Sequence, residues 1–164
     1  MLSHSAACPM RQSAICCCFA AIMFDLDRFK AINDRHGHAV GDAVIMKFCE
    51  VTVTVLRPTD LFARMGGEEF VILVPAAGIE AACMRAERIR ISFADSCRFV
   101  DGRQVNATVS GGVAVSANGA EALEALLKSS DLAVYAAKEE GRNWIRCADA
   151  IAREGGTSHA LRIA

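Results

Sequence analysis

The sequence predicts an α+β domain in which helices pack on a largely antiparallel sheet. Segments with strand and helix patterns follow one another without the strict alternation that parallel sheets require. Two hairpin signals support this class: Gly66-Gly67 between two apolar segments, and Asp101-Gly102 before a β-rich segment.

The composition fits one globular domain. The chain has 164 residues, of which 53% are hydrophobic, a larger share than disordered sequences carry. Its net charge of −1 predicts neither general nucleic-acid binding nor attraction to a membrane surface. Any phosphate binding would therefore come from a local cluster of charges.

The eight cysteines do not form a metal-binding pattern. No Cys-x-x-Cys pair is present, and Cys16, Cys17 and Cys18 are consecutive, so their side chains diverge and cannot close a tetrahedral site together. We expect reduced, mostly buried thiols in a cytoplasmic protein. The apolar segment 14–24 superficially resembles the hydrophobic core of a signal peptide, but it is too short to span a bilayer. The pattern at its end favours a buried strand instead.

The first predicted strand, 19–24, leads into two carboxylates. Asp25 and Asp27 follow its apolar run, and they lie on one side if the strand continues or on diverging sides if a helix starts. Residues 28–33 are predicted as one or two helical turns, followed by a polar turn over 34–38.

The next predicted helix begins at Gly41-Asp42, where Asp42 can serve as the N-cap. Apolar residues recur at helical spacing over 44–55, and Pro58 ends the helix.

The hairpin around Gly66-Gly67 carries two acids, Glu68 and Glu69. We expect positive φ angles at the glycines, a backbone that phosphates can approach closely, and the two glutamates on opposite faces of the second strand. Taken alone, this stretch also fits an ordinary hairpin with a solvated acidic tip.

The second half of the chain predicts two more helices and two strands. Apolar residues mark one face of a helix over 79–93, and the segment 105–116 has a β-rich, alternating pattern. A long helix is predicted over 121–140 and is ended by Gly141. Residues 143–146 are predicted as a short final strand.

Four separated motifs in this order resemble the GGDEF domain of diguanylate cyclases, in its GGEEF form. They are DLDRFKAIND at 25–34, Gly37-His38 with Gly41-Asp42, GGEEF at 66–70 and YAAKEEGRN at 135–143. The resemblance implies a nucleotide-cyclase-like domain with a ferredoxin-like palm, whose mainly antiparallel sheet has about five strands. It also implies an enzyme that joins two GTP into cyclic di-GMP at a homodimer interface, with Mg²⁺ or Mn²⁺ as cofactor.

The resemblance implies a role for each matching acid. Asp25, Glu68 and the backbone carbonyl of Leu26 would ligate the metal, and Glu68 would also accept a proton. Glu69 would belong to the catalytic motif. Hard oxygen ligands of this kind suit Mg²⁺. The alternative for Asp25 is a helix-capping carboxylate.

Guanine would be read by Asn33 and Asp42, with His38 beside them. A carboxylate accepts hydrogen bonds from the N1–H and N2–H edge of guanine, which adenine lacks, so Asp42 would select GTP. Asp42 could instead be an N-cap only.

The phosphates would be held by Lys138 and Arg142, with Lys30 assisting and the Gly66-Gly67 backbone close by. Lys138 and Arg142 are four residues apart at a helix end, a spacing that can direct both side chains to one side. Cations at a helix C-terminus also have a plain explanation in the helix dipole.

An inhibitory site for the product is implied by Arg57-Pro58-Thr59-Asp60, an RxxD sequence at the family's spacing from Gly66. Arginine suits phosphates and the Hoogsteen edge of guanine. Arg88 matches a second arginine of that site more loosely.

The predicted domain covers 19–147, between a divergent segment at 1–18 and a loose tail at 148–164. Residues 1–18 lack the helix signature with which family domains usually begin. We expect no membrane segment in this chain and no nucleic-acid partner. Two alternatives stay open: a non-catalytic receptor for cyclic di-GMP or GTP, and a truncated, inactive remnant.

Overall fold

The computed structural model describes residues 19–116 and 122–148. The strands are β1 (Phe19–Leu26), β2 (Leu61–Arg64), β3 (Glu69–Pro75), β4 (Phe99–Val100), β5 (Arg103–Gln104), β6 (Val109–Ser116) and β7 (Ile145–Cys147). The helices are α1 (Phe29–His36), α2 (His38–Val55), α3 (Ile79–Ser96) and α4 (Leu123–Glu139). The predicted segment 1–18 and the tail from residue 149 lie outside the described residues.

Five of these strands form one sheet in the order β2-β3-β1-β6-β7. β1 lies in the centre and runs antiparallel to both β3 and β6, and β6 pairs with β7 in parallel. The predicted α+β class, with a mainly antiparallel sheet of about five strands, is confirmed. β4 and β5 form a separate hairpin through Asp101 and Gly102, which have φ angles of 49° and 73°.

The main core lies between the sheet and helices α2 and α3. Phe48 of α2 is fully buried, with its ring centroid 4.6 Å from that of Phe70 and 5.2 Å from that of Phe93. Phe24 of the central strand packs edge-on against Phe48 at 5.5 Å. One aromatic cluster therefore joins the sheet to both helices.

The opposite face of the sheet packs on α4 through smaller side chains. Ala21, Ala114 and Leu126 form a second buried cluster there. A Cβ atom at Gly112 would lie 2.0 Å from the carbonyl oxygen of Ser130, so the α4 backbone rests almost directly on β6.

Two local predictions are wrong. The second helix begins at His38, because only Gly37, with a φ of 88°, interrupts the helical backbone between α1 and α2. Asp42 therefore lies inside α2 and is not its N-cap. Gly66 and Gly67 are also not among the residues with positive φ, and the predicted hairpin is closed by a wider bend over residues 65–68.

The cysteines differ in part from the expectation of reduced thiols. Cys83 of α3 and Cys147 of β7 form a disulfide. Cys49 and Cys97 are free, and burial raises the pKa of the Cys97 thiol to about 12. The other four cysteines lie outside the described residues.

In the described ranges, no helix combines the length and the apolar character that crossing a membrane would need.

Candidate active site

The candidate site lies where β1 ends between its two neighbours. Asp25 pairs in register with Glu69 of β3 on one side and with Ser110 of β6 on the other. Lys138 of α4 reaches Asp25 from the adjoining helix, with Nζ 2.6 Å from Oδ2. The other carboxylate oxygen of Asp25, Oδ1, is buried and has no hydrogen-bond partner. Buried polar atoms are rarely left in this state, so Asp25 Oδ1 is available to a ligand.

The bend before β3 is held against the end of β1. The Leu26 N–H donates to the carbonyl of Glu68 at 3.1 Å. The Arg64 side chain bridges the bend: Nε donates to the Gly66 carbonyl at 3.1 Å, and Nη2 donates to the Gly67 carbonyl at 2.6 Å. The carbonyls of both glycines are thus turned toward Arg64, a contact that the sequence reasoning missed.

The prediction that Glu68 and Glu69 face opposite sides assumed that both belong to one strand. Glu68 lies in the bend, and β3 begins only at Glu69, so the alternation of strand residues does not apply to this pair. The charge of Asp25 acts on Glu68, and the charge of Glu69 acts on Asp25. All three carboxylates therefore belong to one electrostatic cluster.

Burial dominates the electrostatics of this cluster. Loss of solvent raises the pKa of Asp25, with further increases from Glu69 and Asp27, and Lys138 offsets only part of this effect. Burial also raises the pKa of Glu68, and the neighbouring Asp25 adds to the increase. Holding these carboxylates ionised is therefore unfavourable, and an added cation would relieve the repulsion.

The donor atoms at this point suit a hard divalent cation. Asp25 Oδ1 lacks a partner, and Glu68 adds a second carboxylate at the carboxyl end of β1. Over residues 19–116 and 122–148, no three His, Cys, Asp or Glu side chains already form a group that could hold an ion. These carboxylate oxygens are ligands of the kind that suits Mg²⁺. In this structure Asp25 forms an ion pair with Lys138.

Asp27 has a structural role, as a hydrogen-bond acceptor between segments, that the motif alone does not predict. Its buried carboxylate accepts hydrogen bonds from Ser110 Oγ at 2.7 Å, Thr108 Oγ1 at 2.7 Å and the Asn143 N–H at 2.9 Å. Three neutral donors satisfy this buried charge and tie β1 to β6 and to the segment after α4.

The predicted guanine-reading residues lie on α1 and α2. Asn33 Oδ1 is buried without a partner, and a Cβ at Gly41 would come within 1.9 Å of it. Gly41 is therefore required by the Asn33 side chain rather than by a helix start. Asp42 and His38 are both exposed on α2. Their reading of guanine stays a prediction.

The two predicted phosphate ligands after β6 point to different pockets. Lys138 lines a small pocket with Asp25 and Glu69, whereas Arg142 lines a larger one beside Asp27. The helical-spacing argument was wrong, because α4 ends at Glu139 and Arg142 follows with a φ of 66°.

The predicted product site forms a turn before β2. The Arg57 N–H donates to Asp60 Oδ2 at 2.8 Å, and Arg85 Nη1 of α3 lies 2.6 Å from the same oxygen. The Asp60 and Arg85 side chains are 1% and 10% exposed. Sequence reasoning missed Arg85, although its position three residues before Arg88 on one helix was a usable signal.

Lys30, the predicted assistant in phosphate binding, is exposed on α1, and Arg57 and Arg88 are exposed near the product site. Their ligand contacts stay predictions.

Comparison with known proteins identifies the family. A family model described as the diguanylate cyclase GGDEF domain matches residues 9–144. The chain belongs to the GGDEF family.

Among curated relatives, this GGDEF domain is 38% identical over 122 residues to diguanylate cyclase A of Treponema denticola, an alignment covering 74% of this chain and 33% of the relative. It is 43% identical over 126 residues to the response regulator PleD of Caulobacter vibrioides, covering 76% and 28%. The aligned region therefore spans about a third or less of the length of these relatives.

Solved structures with the same fold include the GGDEF domain of DgcB from Caulobacter crescentus in complex with cyclic di-GMP. The TM-score is 0.75 at 31% identity, covering 80% of this chain and 78% of that one. The active GGEEF domain of a diguanylate cyclase from Vibrio cholerae has a TM-score of 0.73 at 32% identity, covering 79% and 82%.

Proposed function

We propose that this GGDEF domain is a Mg²⁺-dependent diguanylate cyclase that condenses two GTP into cyclic di-GMP and two pyrophosphates. The observation that carries the proposal is the buried, partnerless Oδ1 of Asp25 beside Glu68, at the carboxyl end of the central strand. A pure receptor would have no use for this cluster of acids.

Asp25, Glu68 and the Leu26 carbonyl are the proposed ligands of Mg²⁺ or Mn²⁺. The ion would supply neutralisation of phosphate charge and a lower pKa for the attacking hydroxyl. In each of two equivalent steps the 3′-oxygen of one GTP forms a bond to the α-phosphorus of the other, and the bond to pyrophosphate breaks. Glu68 accepts the hydroxyl proton, a task for which its raised pKa makes it a stronger base.

Lys138 has a second role in this proposal. Its ammonium carries three N–H donors, and Asp25 occupies one of them. The remaining donors can hold phosphate oxygens, with Lys30 assisting from α1. Lys138 thus joins the acid cluster to the substrate's triphosphate.

Substrate choice is assigned to Asn33 and Asp42. Asn33 Oδ1 is buried without a partner, so it can accept a hydrogen bond from a guanine N–H when the base enters. Each domain carries one such pair and would bind one GTP, so product formation requires two copies that face each other.

A GTP turnover assay across protein concentration tests this proposal. Purified protein with Mg²⁺ should convert GTP to cyclic di-GMP and pyrophosphate, with a rate that rises as the square of protein concentration at low concentration. ATP should give no product. Glu68→Gln should reduce turnover at least 100-fold, whereas the matched control Glu80→Gln, at an exposed glutamate on α3, should retain it. Folded protein that yields no cyclic di-GMP at high concentration would refute the enzymatic role.

A second candidate is a non-catalytic receptor for cyclic di-GMP, or a product-inhibition site on the same enzyme. The buried pair with Arg85 fixes Asp60, and within the described residues no hydrogen bond or ion pair engages the guanidinium groups of Arg57 and Arg88. Calorimetry with cyclic di-GMP should give at least tenfold weaker binding for Arg57→Ala and unchanged binding for Arg98→Ala, which removes an exposed arginine elsewhere. Equal affinities would exclude this site.

The remaining alternative, an inactive remnant, predicts that the chain does not melt cooperatively. A single cooperative thermal transition followed by circular dichroism would exclude it.

A further inference from the structure

Arg90 joins helix α3 to the segment that follows α4. Its side chain is only 14% exposed, and its Nη1 donates to Asn143 Oδ1 at 2.7 Å. The two residues are 53 positions apart in the sequence. The contact therefore ties together two elements that only the fold brings near each other.

Glu87 sets the direction of the Arg90 side chain. It lies three residues earlier on α3, and its two carboxylate oxygens accept from Arg90 Nε at 2.8 Å and from Nη2 at 2.5 Å. A bidentate pair of this kind fixes the plane of a guanidinium group. The remaining nitrogen, Nη1, is thereby directed at Asn143, a geometry that the single ammonium of a lysine would not reproduce.

Asn143 is anchored at two points. Its side chain accepts from Arg90, and its backbone N–H donates to Asp27 Oδ2 at 2.9 Å. The contact with Arg90 also orients the carboxamide, because arginine has only donors and so the amide oxygen must face it. Helix α3 is thus linked to the end of β1 through one residue.

The backbone beside this anchor has an uncommon conformation. Gly141, Arg142 and Asn143 have consecutive positive φ angles of 121°, 66° and 50°. Residues other than glycine rarely adopt such angles, which persist where the surrounding structure maintains them. The Arg142 N–H donates to the Ala137 carbonyl at 3.1 Å on one side, and Asn143 is the anchor on the other.

The direction of the Arg142 side chain depends on this backbone. Among the described residues, no hydrogen bond or ion pair engages its guanidinium group. Side-chain contacts within the protein therefore do not aim Arg142, and its position follows from the conformation that the anchored Asn143 helps to maintain.

We propose that Arg90 is a positioning residue for the substrate: it holds Asn143 and thereby directs Arg142 toward the triphosphate of bound GTP. Arg90 does not line the pocket that contains Arg142 and Asn143, so it acts without touching the nucleotide. The inference rests on the proposed cyclase function, in which GTP is the substrate and Arg142 binds its phosphates. Ordering a loose segment on binding costs affinity, so a segment that Arg90 orders in advance binds the triphosphate more tightly.

The test is calorimetry with 3′-deoxy-GTP and with GMP, both in the presence of Mg²⁺. 3′-Deoxy-GTP keeps the triphosphate but lacks the hydroxyl that attacks in the proposed reaction, so binding is measured without turnover. Arg90→Met should weaken its binding about tenfold, the value of one charge-assisted hydrogen bond. GMP, which has no terminal phosphates, should bind as it binds the parent. Arg98→Met is the matched control, since Arg98 also pairs with an acid three residues earlier but is 69% exposed, and it should leave both affinities unchanged.

Glu87→Gln separates positioning from charge. Removing a negative charge would by itself strengthen the binding of an anionic nucleotide. Loss of the bidentate pair loosens Arg90 and has the opposite effect on the triphosphate. We expect Glu87→Gln to weaken 3′-deoxy-GTP binding roughly threefold, because a neutral hydrogen bond has about half the strength of a charged one. The Glu87 side chain is 37% exposed, so this variant should fold even if Arg90→Met does not.

A double variant tests whether Arg90 acts through Arg142. Arg142→Asn removes the guanidinium group, and asparagine tolerates the positive φ of this position. Arg142→Asn alone should weaken 3′-deoxy-GTP binding, and adding Arg90→Met or Glu87→Gln to it should cause no further loss. Losses that multiply would mean that the residues act independently.

The proposal is overturned if folded Arg90→Met loses affinity for 3′-deoxy-GTP and GMP alike, if Glu87→Gln binds 3′-deoxy-GTP as tightly as the parent or more tightly, or if the losses multiply. It is also overturned if Arg142→Asn binds 3′-deoxy-GTP as the parent does. A parent chain that shows the expected coupling but makes no cyclic di-GMP would refute the cyclase proposal and leave the role of Arg90 standing. A chain that makes cyclic di-GMP without this coupling would refute the role of Arg90 alone.

Discussion

The two faces of the central sheet differ in what fills them. The face toward α2 and α3 is packed with interlocking aromatic rings centred on Phe48. The face toward α4 carries a smaller buried cluster, formed by Ala21, Ala114 and Leu126. On the same side, Asp25, Glu69 and Lys138 line a small pocket. The first face supplies most of the apolar burial, and the second carries buried charge that opposes folding.

This division follows from the period of two along β1. Ile22 and Phe24 face the aromatic side, while Ala21 and Asp25 face α4. A single strand thus supplies a stabilising residue and a functional residue in alternation. Small residues on the α4 side let that helix approach closely enough for Lys138 to reach Asp25.

The largest effect on stability is expected from the aromatic face. Phe48→Ala should lower the free energy of unfolding by about 3–5 kcal/mol, because it removes a fully buried ring and leaves a cavity. Urea unfolding followed by circular dichroism measures the loss. Phe99→Ala, at a ring that is 64% exposed, is the matched control and should change little. Similar losses for both variants would contradict the assignment of the main core to this face.

A smaller loss is expected from separating α4 from the sheet. In Gly112→Ala the new Cβ would meet the α4 backbone, so α4 must shift, with a loss of about 1–3 kcal/mol. The Lys138–Asp25 ion pair should weaken at the same time. Gly67→Ala is the control, since nothing lies within 4 Å of its added Cβ. If Gly112→Ala unfolds at the same urea concentration as Gly67→Ala, the close packing of α4 on β6 is wrong.

A change in binding with little change in stability is expected between α1 and α2. The Cβ of Gly41→Ala would displace the Asn33 side chain, so GTP affinity should fall about tenfold, the value of one hydrogen bond at the upper end of its usual range. Calorimetry with GTP checks this, with Gly78→Ala as the control because its Cβ would meet no atom. Unchanged GTP affinity in Gly41→Ala would remove Asn33 from the guanine site.

The smallest expected effect has the opposite sign. Burial raises the pKa of Asp25 above its ordinary value of 3.8, so the folded state binds a proton more readily than the unfolded chain. Stability from this group is fully present below pH 3.8 and is lost as the pH rises through the folded-state pKa. Asp25→Asn should therefore raise the free energy of unfolding at pH 7 by about 1 kcal/mol or less. The ammonium group of Lys138, which loses its partner in this variant, stays partly solvated.

Thermal melting at pH 7 and at pH 3 measures this difference. The gain should vanish at the lower pH, where Asp25 is protonated in both states. A lower melting temperature for Asp25→Asn at pH 7 would mean that the ion pair with Lys138 outweighs the burial of the charge.

Much of this architecture could be predicted from the sequence, because local patterns and motifs determine it. The helical face ending at Phe93 and the hairpin before Glu69 follow from apolar spacing and from Gly-Gly between apolar segments. The grouping of Asp25 with Glu68 was expected from the motif order. Confirmation of the family supports that expectation, whereas the roles of individual residues stay predictions.

The features that were missed depend on contacts between distant segments. Gly41 was interpreted as a helix start, but its reason is Asn33 on another helix. Arg85 reaches Asp60 across 25 residues, and Arg142 leaves the helical line after Gly141. No local propensity reports such contacts, since each depends on how two elements approach.

The position of β1 in the sheet has a consequence for biosynthesis. β1 precedes the other described strands in the chain, yet it needs β6, about ninety residues later, to complete its pairing. A ribosome adds residues at about 5–20 per second, so this apolar strand stays without one of its neighbours for several seconds while the chain emerges. We expect the nascent chain to depend on chaperone protection until Ser116 has left the exit tunnel.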